Sequence, residues 1–416
     1  GATWTNTGDL NVGFNGSNNA LTIGAGGSVF ADFTKIGGFA GSADNSITIS
    51  GTGTLANTND LLLGYGGTGN TFLLQSGGTA TNVNAFVGFL STATGNAATV
   101  TGAGSIWTST GAFHLGYDGS FNTLTIANGG KVLVDGAAKD FLLGFNAGAD
   151  GNRVTVRGAG SELSNLNGTL YVGRSSMSNS LLIESGGLVT SKNVRIGGGT
   201  GSAGTNASGN VVYVDGAGSV WNISGTLRVG SGTATTSDGN VVEITGGGVV
   251  NVAGNSFLGH DANSDGNRVL VSGTGSHLNA HALTIGNVDG ATGNVVTLAN
   301  GGLLTATSIT LRESSGLVIG AGGAAGSITA PVIITGAGTA PGYVTFDHTD
   351  TAYTFGSTLA GNLAVNHDGS GTTRLTGANT YAGATTINAG RLDIDGSVTG
   401  PVLVNAGGTR GGIGSF

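Results

Sequence analysis

The residue types that could do chemistry are few and dispersed. Four glutamates (Glu162, Glu184, Glu243 and Glu313) and six histidines (His114, His260, His277, His281, His348 and His367) are spread over 416 residues. Glycoside hydrolysis needs two carboxylates held about 5–10 Å apart in a cleft. Here Glu184 follows an inward Ile183 and Glu243 lies between inward Val242 and Ile244, so both read as solvated strand faces. Asp393 and Asp395 flank Ile394 and read as exposed in the same way. A serine nucleophile needs a strained elbow, and no Gly-x-Ser-x-Gly occurs. His277 and His281 sit either side of Leu278 and are expected in solvent. Catalysis is therefore not expected.

One segment has the layout of a cation loop. Asp261-Ala262-Asn263-Ser264-Asp265-Gly266 places oxygens at alternate positions before a glycine turn, as a hard cation such as calcium requires. Its twelfth position is Ser272 where a bidentate Glu would complete the site, and its ninth, Val269, falls on an inward strand position. The same Asp-Gly-Asn turn recurs at Asp150-Gly151-Asn152 and Asp238-Gly239-Asn240, where it simply makes a bend. Asp261, Asn263 and Asp265 are the candidate calcium ligands, set against a water-solvated turn. No other cofactor is expected. Aromatic residues raise a further option, because Trp4, Trp107 and Trp221 recur at one place in the pattern, alternating with Leu163 and Leu278, with Leu55 one residue early. They read either as a sugar-stacking ladder or as a stack of large core side chains, and the leucine substitutions favour the core.

Composition bounds the partners. The formal charge is −8, and the 14 Lys and Arg are scattered, so no basic stripe exists to track nucleic acid or an anionic membrane. No apolar run is long enough to span a bilayer, so membrane insertion of this fragment is not expected. Cysteine is absent, which removes disulfides and thiolate metal sites. Residue 1 begins mid-repeat with no signal-like segment, as expected of a mature or excised piece.

What must position any site is a repeat array. An asparagine opens a short β-branched run at Asn19, Asn45, Asn70, Asn96, Asn122, Asn152, Asn179, Asn210, Asn240, Asn267 and Asn294, at spacings of 25 to 31 residues. Positions +2 and +4 of each run are apolar, Ala98 being the one small residue at +2, and alternation places the Asn on the same inward side. An apolar-Gly pair closes the rest of each unit, at Gly13, Gly37, Gly64, Gly88, Gly116, Gly144, Gly173, Gly197, Gly230, Gly259 and Gly286. Between the anchors two turn types alternate, Gly-Gly (as Gly77-Gly78) and Gly-x-Gly-Ser/Thr (as Gly102-Ala103-Gly104). Gly is 84 of 416 and Pro only 3, with no three-residue period, which excludes collagen and points to an all-β chain.

A sandwich would place hairpin turns at every junction. Recurrence of the same strand types once per unit instead favours parallel stacking of each strand on its equivalent, a β-solenoid of about fifteen coils spaced about 4.8 Å apart. The asparagines would then form a ladder, each amide bonding the one above and below. Residues 1–310 make the regular array. After about Thr310 the Asn anchor lapses, and 311–416 read as a less regular continuation of the same solenoid. Insertions fall in the bland loops Gly198–Gly209 and Ser231–Gly239, candidates for contact and not for chemistry.

Residues 373–396 resemble the autotransporter-associated β-strand repeat through Leu375-Thr376-Gly377, Asn379-Thr380-Tyr381, Gly383, Thr385-Thr386-Ile387, Gly390 and Leu392. The upstream units are similar, more loosely, to the repeats of large bacterial autotransporter passengers. The resemblance implies a right-handed parallel β-helix, exported by a type V route and placed on, or released from, the outer surface of a Gram-negative-type cell. The protease motif Gly-Asp-Ser-Gly of some such passengers is absent. Nothing after Gly407 resembles the family's membrane barrel, so a passenger fragment is expected. The leading expectation is a non-enzymatic extracellular rod that binds a cell-surface or matrix protein or a glycan, or associates with itself. The alternatives are a subunit polymerising into a fibre or sheath, encouraged by ends without polar caps, and a polysaccharide-acting enzyme.

Overall fold

The computed structural model describes residues 1–199, 205–232, 236–312, 314–335 and 340–415. They form two compact units, Gly1–Gly225 with Ala234–Thr236, and Thr226–Thr233 with Ser237–Phe416. Each is built from coils of three short strands. Ala97–Thr101, Ile106–Ser109 and Phe113–Leu115 are one such set, here termed opening, middle and closing strands. The run after each glycine turn, continuous in sequence, is thus usually divided in two. Among the described residues each unit has eight opening strands, close to the fifteen coils expected for the chain. The pairing is parallel, each strand on its equivalent one coil on, as in Ser46–Ser50 on Thr71–Gln75 on Ala97–Thr101. Alternation dictates the core: Ile47, Ile49, Phe72, Leu74 and Val100 are fully buried.

In the first unit the asparagines meet in register. The Asn70 carboxamide oxygen accepts both the backbone N–H of Asn45 and its Nδ2–H, each at 3.0 Å. Asn96 does the same for Asn70, Asn122 for Asn96, Asn152 for Asn122 and Asn210 for Asn179. Asn19 donates to Asn45 but is itself exposed. Asn152 is the variation: its backbone N–H reaches Asn179, while its Nδ2 turns to the carbonyls of Gly119 and Ala149. In the second unit Asn240 bonds Asn267, and Asn267 bonds Asn294. The two sequence anchors prove to be one contact. Closing glycines Gly88 and Gly116 have φ of 78° and 75°, and a Cβ on them would lie 2.1 and 2.2 Å from the amides of Asn122 and Asn152. Only glycine leaves room for the amide and adopts that backbone without strain.

The alternating turn types also have a physical cause. Ser105, which ends a Gly-x-Gly-Ser turn, accepts the N–H of Gly77 in the Gly-Gly turn one coil earlier, and donates to the carbonyl of Thr101. Ser161 pairs with Gly129 and Ser219 with Gly186 in the first unit, and Ser276 with Gly247 in the second. One flavour supplies the hydroxyl and the other the N–H, so the period is two coils.

Trp107 and Trp221 are fully buried, with Leu163 and Leu278 at the equivalent core positions, and Trp4 is half exposed on the first coil. Leu55, one residue early by spacing, still falls in register, between Val29 and Ala80, because its turn is one residue shorter. Trp107 stacks on Ala80, shares its coil with Ala98, and packs at 4.9 Å against Phe72. These two small residues make the space for the indole. Its N–H is satisfied by Asn82 Oδ1 at 2.7 Å. Beyond Asn294 the ladder changes hands: Ser315 Oγ accepts the Asn294 N–H and lies beside Gly286 where an Asn would have been. Further on, a four-stranded parallel sheet of Tyr353–Phe355, Thr372–Leu375, Gly390–Ile394 and Gly408–Gly411 forms, and Leu375, Tyr381, Ile387 and Leu392 are its fully buried neighbours and members.

Truncating an interior ladder residue orphans two buried donors at about 1–3 kcal/mol each. Asn122→Ala should therefore lower unfolding free energy by about 2–5 kcal/mol, and Asn19→Ala, at the exposed end, by less than about 1 kcal/mol, as measured by urea denaturation.

Candidate contact surface

Among the described residues the glutamates and aspartates do not converge on one cleft, whereas His348 and His367 meet inside the coils, 5.9 Å ring to ring. Glu162 forms an ion pair with Lys131 at 2.8 Å, and Glu184 and Glu243 lie half-buried on outward strand positions; Glu313 falls outside the described residues. His281 is exposed, but His277 is half-buried and bonds Thr305 Oγ1 at 2.9 Å through Nε2. Asp393 and Asp395, expected in open solvent, are half-buried: Asp393 pairs with Arg391 two residues before it on the same outward face, and Asp395 with Arg374 of the preceding coil. With Tyr353, Thr354 and Thr372 they line a shallow groove.

Of the three cation-loop residues, Asn263 and Asp265 bond neighbouring coils, and Asp261 lies against its own sequence neighbour. Asp261 Oδ1 lies 3.1 Å from His260 Nδ1, the carbonyl of Asn263 accepts the Ser237 N–H, and Asp265 Oδ1 accepts the N–H and hydroxyl of Thr292. Asp265 itself donates its N–H to Asp238 Oδ1, and Asp150 takes the N–H of Met177 in the same manner. This acidic column staples successive bends. Of the bland loops, residues 200–204 and 233–235 lie outside the described residues.

A second aromatic column, not singled out from the sequence, lies on the outer side of the closing strands in the first unit. Tyr65, Phe89, Tyr117 and Phe145 each follow a closing glycine, and that offset is the signal by which they could have been found. Their rings stack at centroid distances of 5.2, 5.0 and 4.9 Å with interplanar angles of 11°, 17° and 21°. Lys35 caps one end at 5.9 Å from Tyr65, and Arg174 the other at 4.5 Å from Phe145. Ring faces are therefore covered by one another and by cations, leaving only edges outward, which does not suit sugar stacking. Beneath lie the central residues of the closing strands, Leu62, Phe86, His114, Leu142 and Tyr171, in one register column. His114 is 8% exposed and stacks on Phe86 at 4.8 Å. Burial, helped by the charge of Arg174, pushes its pKa down to about 4.

Among the described residues, five of this unit's ten exposed large apolar side chains lie in one loop class, the loops joining closing to opening strands (Phe14, Phe39, Leu90, Phe121 and Met177), and the other five, Trp4, Phe30, Val83, Leu166 and Tyr213, lie elsewhere. Phe14 and Phe39 meet edge to face at 4.8 Å. Phe121 is 66% exposed and has φ of 58°, where the equivalent residue one coil away on either side is Gly95 or Gly151. A bulky residue in that backbone costs on the order of 1 kcal/mol or more. Strain and exposure at one aromatic are a feature of contact sites.

The passenger-associated-transport-repeat matches residues 368–394. An adhesin autotransporter of Brucella suis biovar 1 (strain 1330), BmaC, is 30% identical over 338 residues, which are 71% of this chain and 9% of that protein. The chain thus spans about a tenth of the length of this curated relative. A crystal structure of a TibA fragment hyper-glycosylated by TibC aligns over 100% of both chains at 15% identity, with a TM-score of 0.39.

His114 gives a signed prediction. Its pKa in the folded state, about 4, lies below the ordinary 6.5, so the unfolded chain binds the proton more readily. The stability from neutral His114 is complete above about pH 6.5 and is lost as pH falls towards 4, up to about 3 kcal/mol for this residue. His114→Leu should reduce that acid loss by a corresponding amount in urea unfolding of the two proteins at pH 7 and pH 4.5.

Proposed function

The chain is an autotransporter passenger domain of the outer surface or surroundings of a bacterial cell, and from that premise we propose that it is a non-enzymatic adhesive solenoid. The observation that carries the reading is the row of exposed apolar side chains in one loop class, Phe14, Phe39, Leu90 and Phe121, on a scaffold whose acids are dispersed or paired. Regular coils set these loops at successive steps of about 4.8 Å, a geometry suited to a broad protein or glycan surface and not to a small molecule. BmaC carries the name of adhesin, in keeping with this reading. Affinity would reside in the few aromatic anchors, with the flanking Ser, Thr and Asn side chains supplying polar contacts.

The test is adhesion of the purified chain to cells, immobilised matrix proteins and glycan arrays. The combined variant Phe14→Ser, Phe39→Ser, Leu90→Ser and Phe121→Asn should bind at least about tenfold more weakly, with an unchanged circular dichroism spectrum. Undiminished binding by that variant would contradict the proposal, as would release of reducing ends or unsaturated products from a polysaccharide panel. If the same loops join copies of the chain, wild-type sedimentation will depend on concentration and that of the variant will not.

A further inference from the structure

In the second unit a chain of hydrogen bonds lies inside the coils, behind the groove lined by Tyr353 and Thr372. His367 Nδ1 is 2.8 Å from the carbonyl of Ala389, His367 Nε2 is 3.1 Å from Thr373 Oγ1, and His348 Nε2 is 2.7 Å from the same hydroxyl. All three side chains are fully buried. For two neutral rings the protons follow from the partners. A carbonyl only accepts, so His367 carries its hydrogen on Nδ1 and its Nε2 is an acceptor. Thr373 must then donate to His367, which leaves its lone pairs to accept from His348, so His348 carries its hydrogen on Nε2. The remaining nitrogen, His348 Nδ1, is buried without a partner, and Gly371 is packed against it so closely that a Cβ there would lie 2.7 Å away.

We propose that His348, Thr373 and His367 form an acid-sensitive clasp, which holds the coils of Tyr343–His348, Ala364–His367 and Thr372–Leu375 closed when both imidazoles are neutral and releases them on protonation. Three features set protonation against closure. A proton on His348 Nδ1 would be a buried donor with no acceptor. A proton on His367 Nε2 would make the Thr373 hydroxyl give up its donation to that ring and accept from both imidazoles, leaving its own hydrogen without the nitrogen it bonds when both rings are neutral. The rings are 5.9 Å apart, so a charge on either opposes one on the other. The groups facing His348 are Asp347 and Asp350, which favour its cation, and His367 and burial, which oppose it; Tyr353 lies 5.0 Å away, ring to ring. His367 is faced by Asp368 and the Ala389 carbonyl, which favour the cation, against burial. Burial is the largest influence on both and lowers both pKa values. The sign follows: closure is favoured above the ordinary histidine pKa and weakens as pH falls below about 6.5. The interval from about pH 6.5 to 5 is the one in which an imidazole takes up its proton on exposure.

Native-state hydrogen exchange on the whole chain, corrected for intrinsic rates, is the test. If both rings take up a proton on opening, the opening constant read at the amides of Val365, Leu375 and Leu392 should rise by up to about 100-fold per pH unit below about 6.5, and about tenfold if one does. The variant carrying His348→Gln and His367→Gln should lose that dependence. Nitrogen chemical shifts of the wild-type rings give an answer even where the variant does not fold: His367 should be the Nδ1–H tautomer and His348 the Nε2–H tautomer at pH 7. A flat opening constant, a pH dependence retained in the variant, or either ring in the other tautomer would overturn the proposal.

Discussion

The architecture rests on one interlock, an asparagine carboxamide seated beneath a glycine of the preceding coil. The amide oxygen takes two protons from the Asn before it, and the glycine has no side chain to exclude it and the left-handed backbone to turn away from it. Everything periodic in the chain follows from repeating that contact. A buried amide is costly unless its hydrogen bonds are complete. In register they are complete, and a slip of one residue would leave both donors unpaired and turn the apolar face outward. The interlock thus fixes register as well as cohesion, while the apolar positions Ile47, Phe72 and Val100 supply the bulk of the burial.

That dependence explains which parts of the structure can be read from sequence. Asn and Gly at fixed spacing are a direct imprint of the interlock, so coil number and the inward face were legible residue by residue. The serine that alternates between turn types was visible as Gly-x-Gly-Ser, but its partner, an N–H one coil earlier, was not, because a backbone donor leaves no mark in composition. The core position of the tryptophans was legible from the leucines that replace them. The small residues that admit Trp107, Ala80 and Ala98, have meaning only once two coils are stacked.

The candidate surface was harder to read for the same reason. Tyr65, Phe89, Tyr117 and Phe145 stand outside the alternating pattern, one residue beyond the anchor, and become a column only through the parallel stack. Aspartates in bends are visible by spacing, but that Asp265 bonds Thr292 is not, because the N–H it meets is presented by the next coil. Past Asn294, Ser315 substitutes for the amide with one oxygen, and the regular signal fades although parallel pairing persists. In such an array local sequence specifies the coil, and the neighbour specifies what each outward residue does.

The interlock is tested most directly by a double-mutant cycle at Gly88 and Asn122, where a Cβ would lie 2.1 Å from the amide. Alanine at Gly88 alone suffers the clash with the amide, a 2.9 Å approach to the carbonyl oxygen of Ala93 and the unfavourable φ; with Asn122→Ala also present the amide clash is removed and the other two terms remain, so they cancel in the cycle. Urea unfolding of the four proteins should give a coupling energy of about 1–3 kcal/mol, the double variant being more stable than the two single changes predict. Additivity within about 0.5 kcal/mol would show that the glycine and the amide do not depend on each other, and would contradict the account.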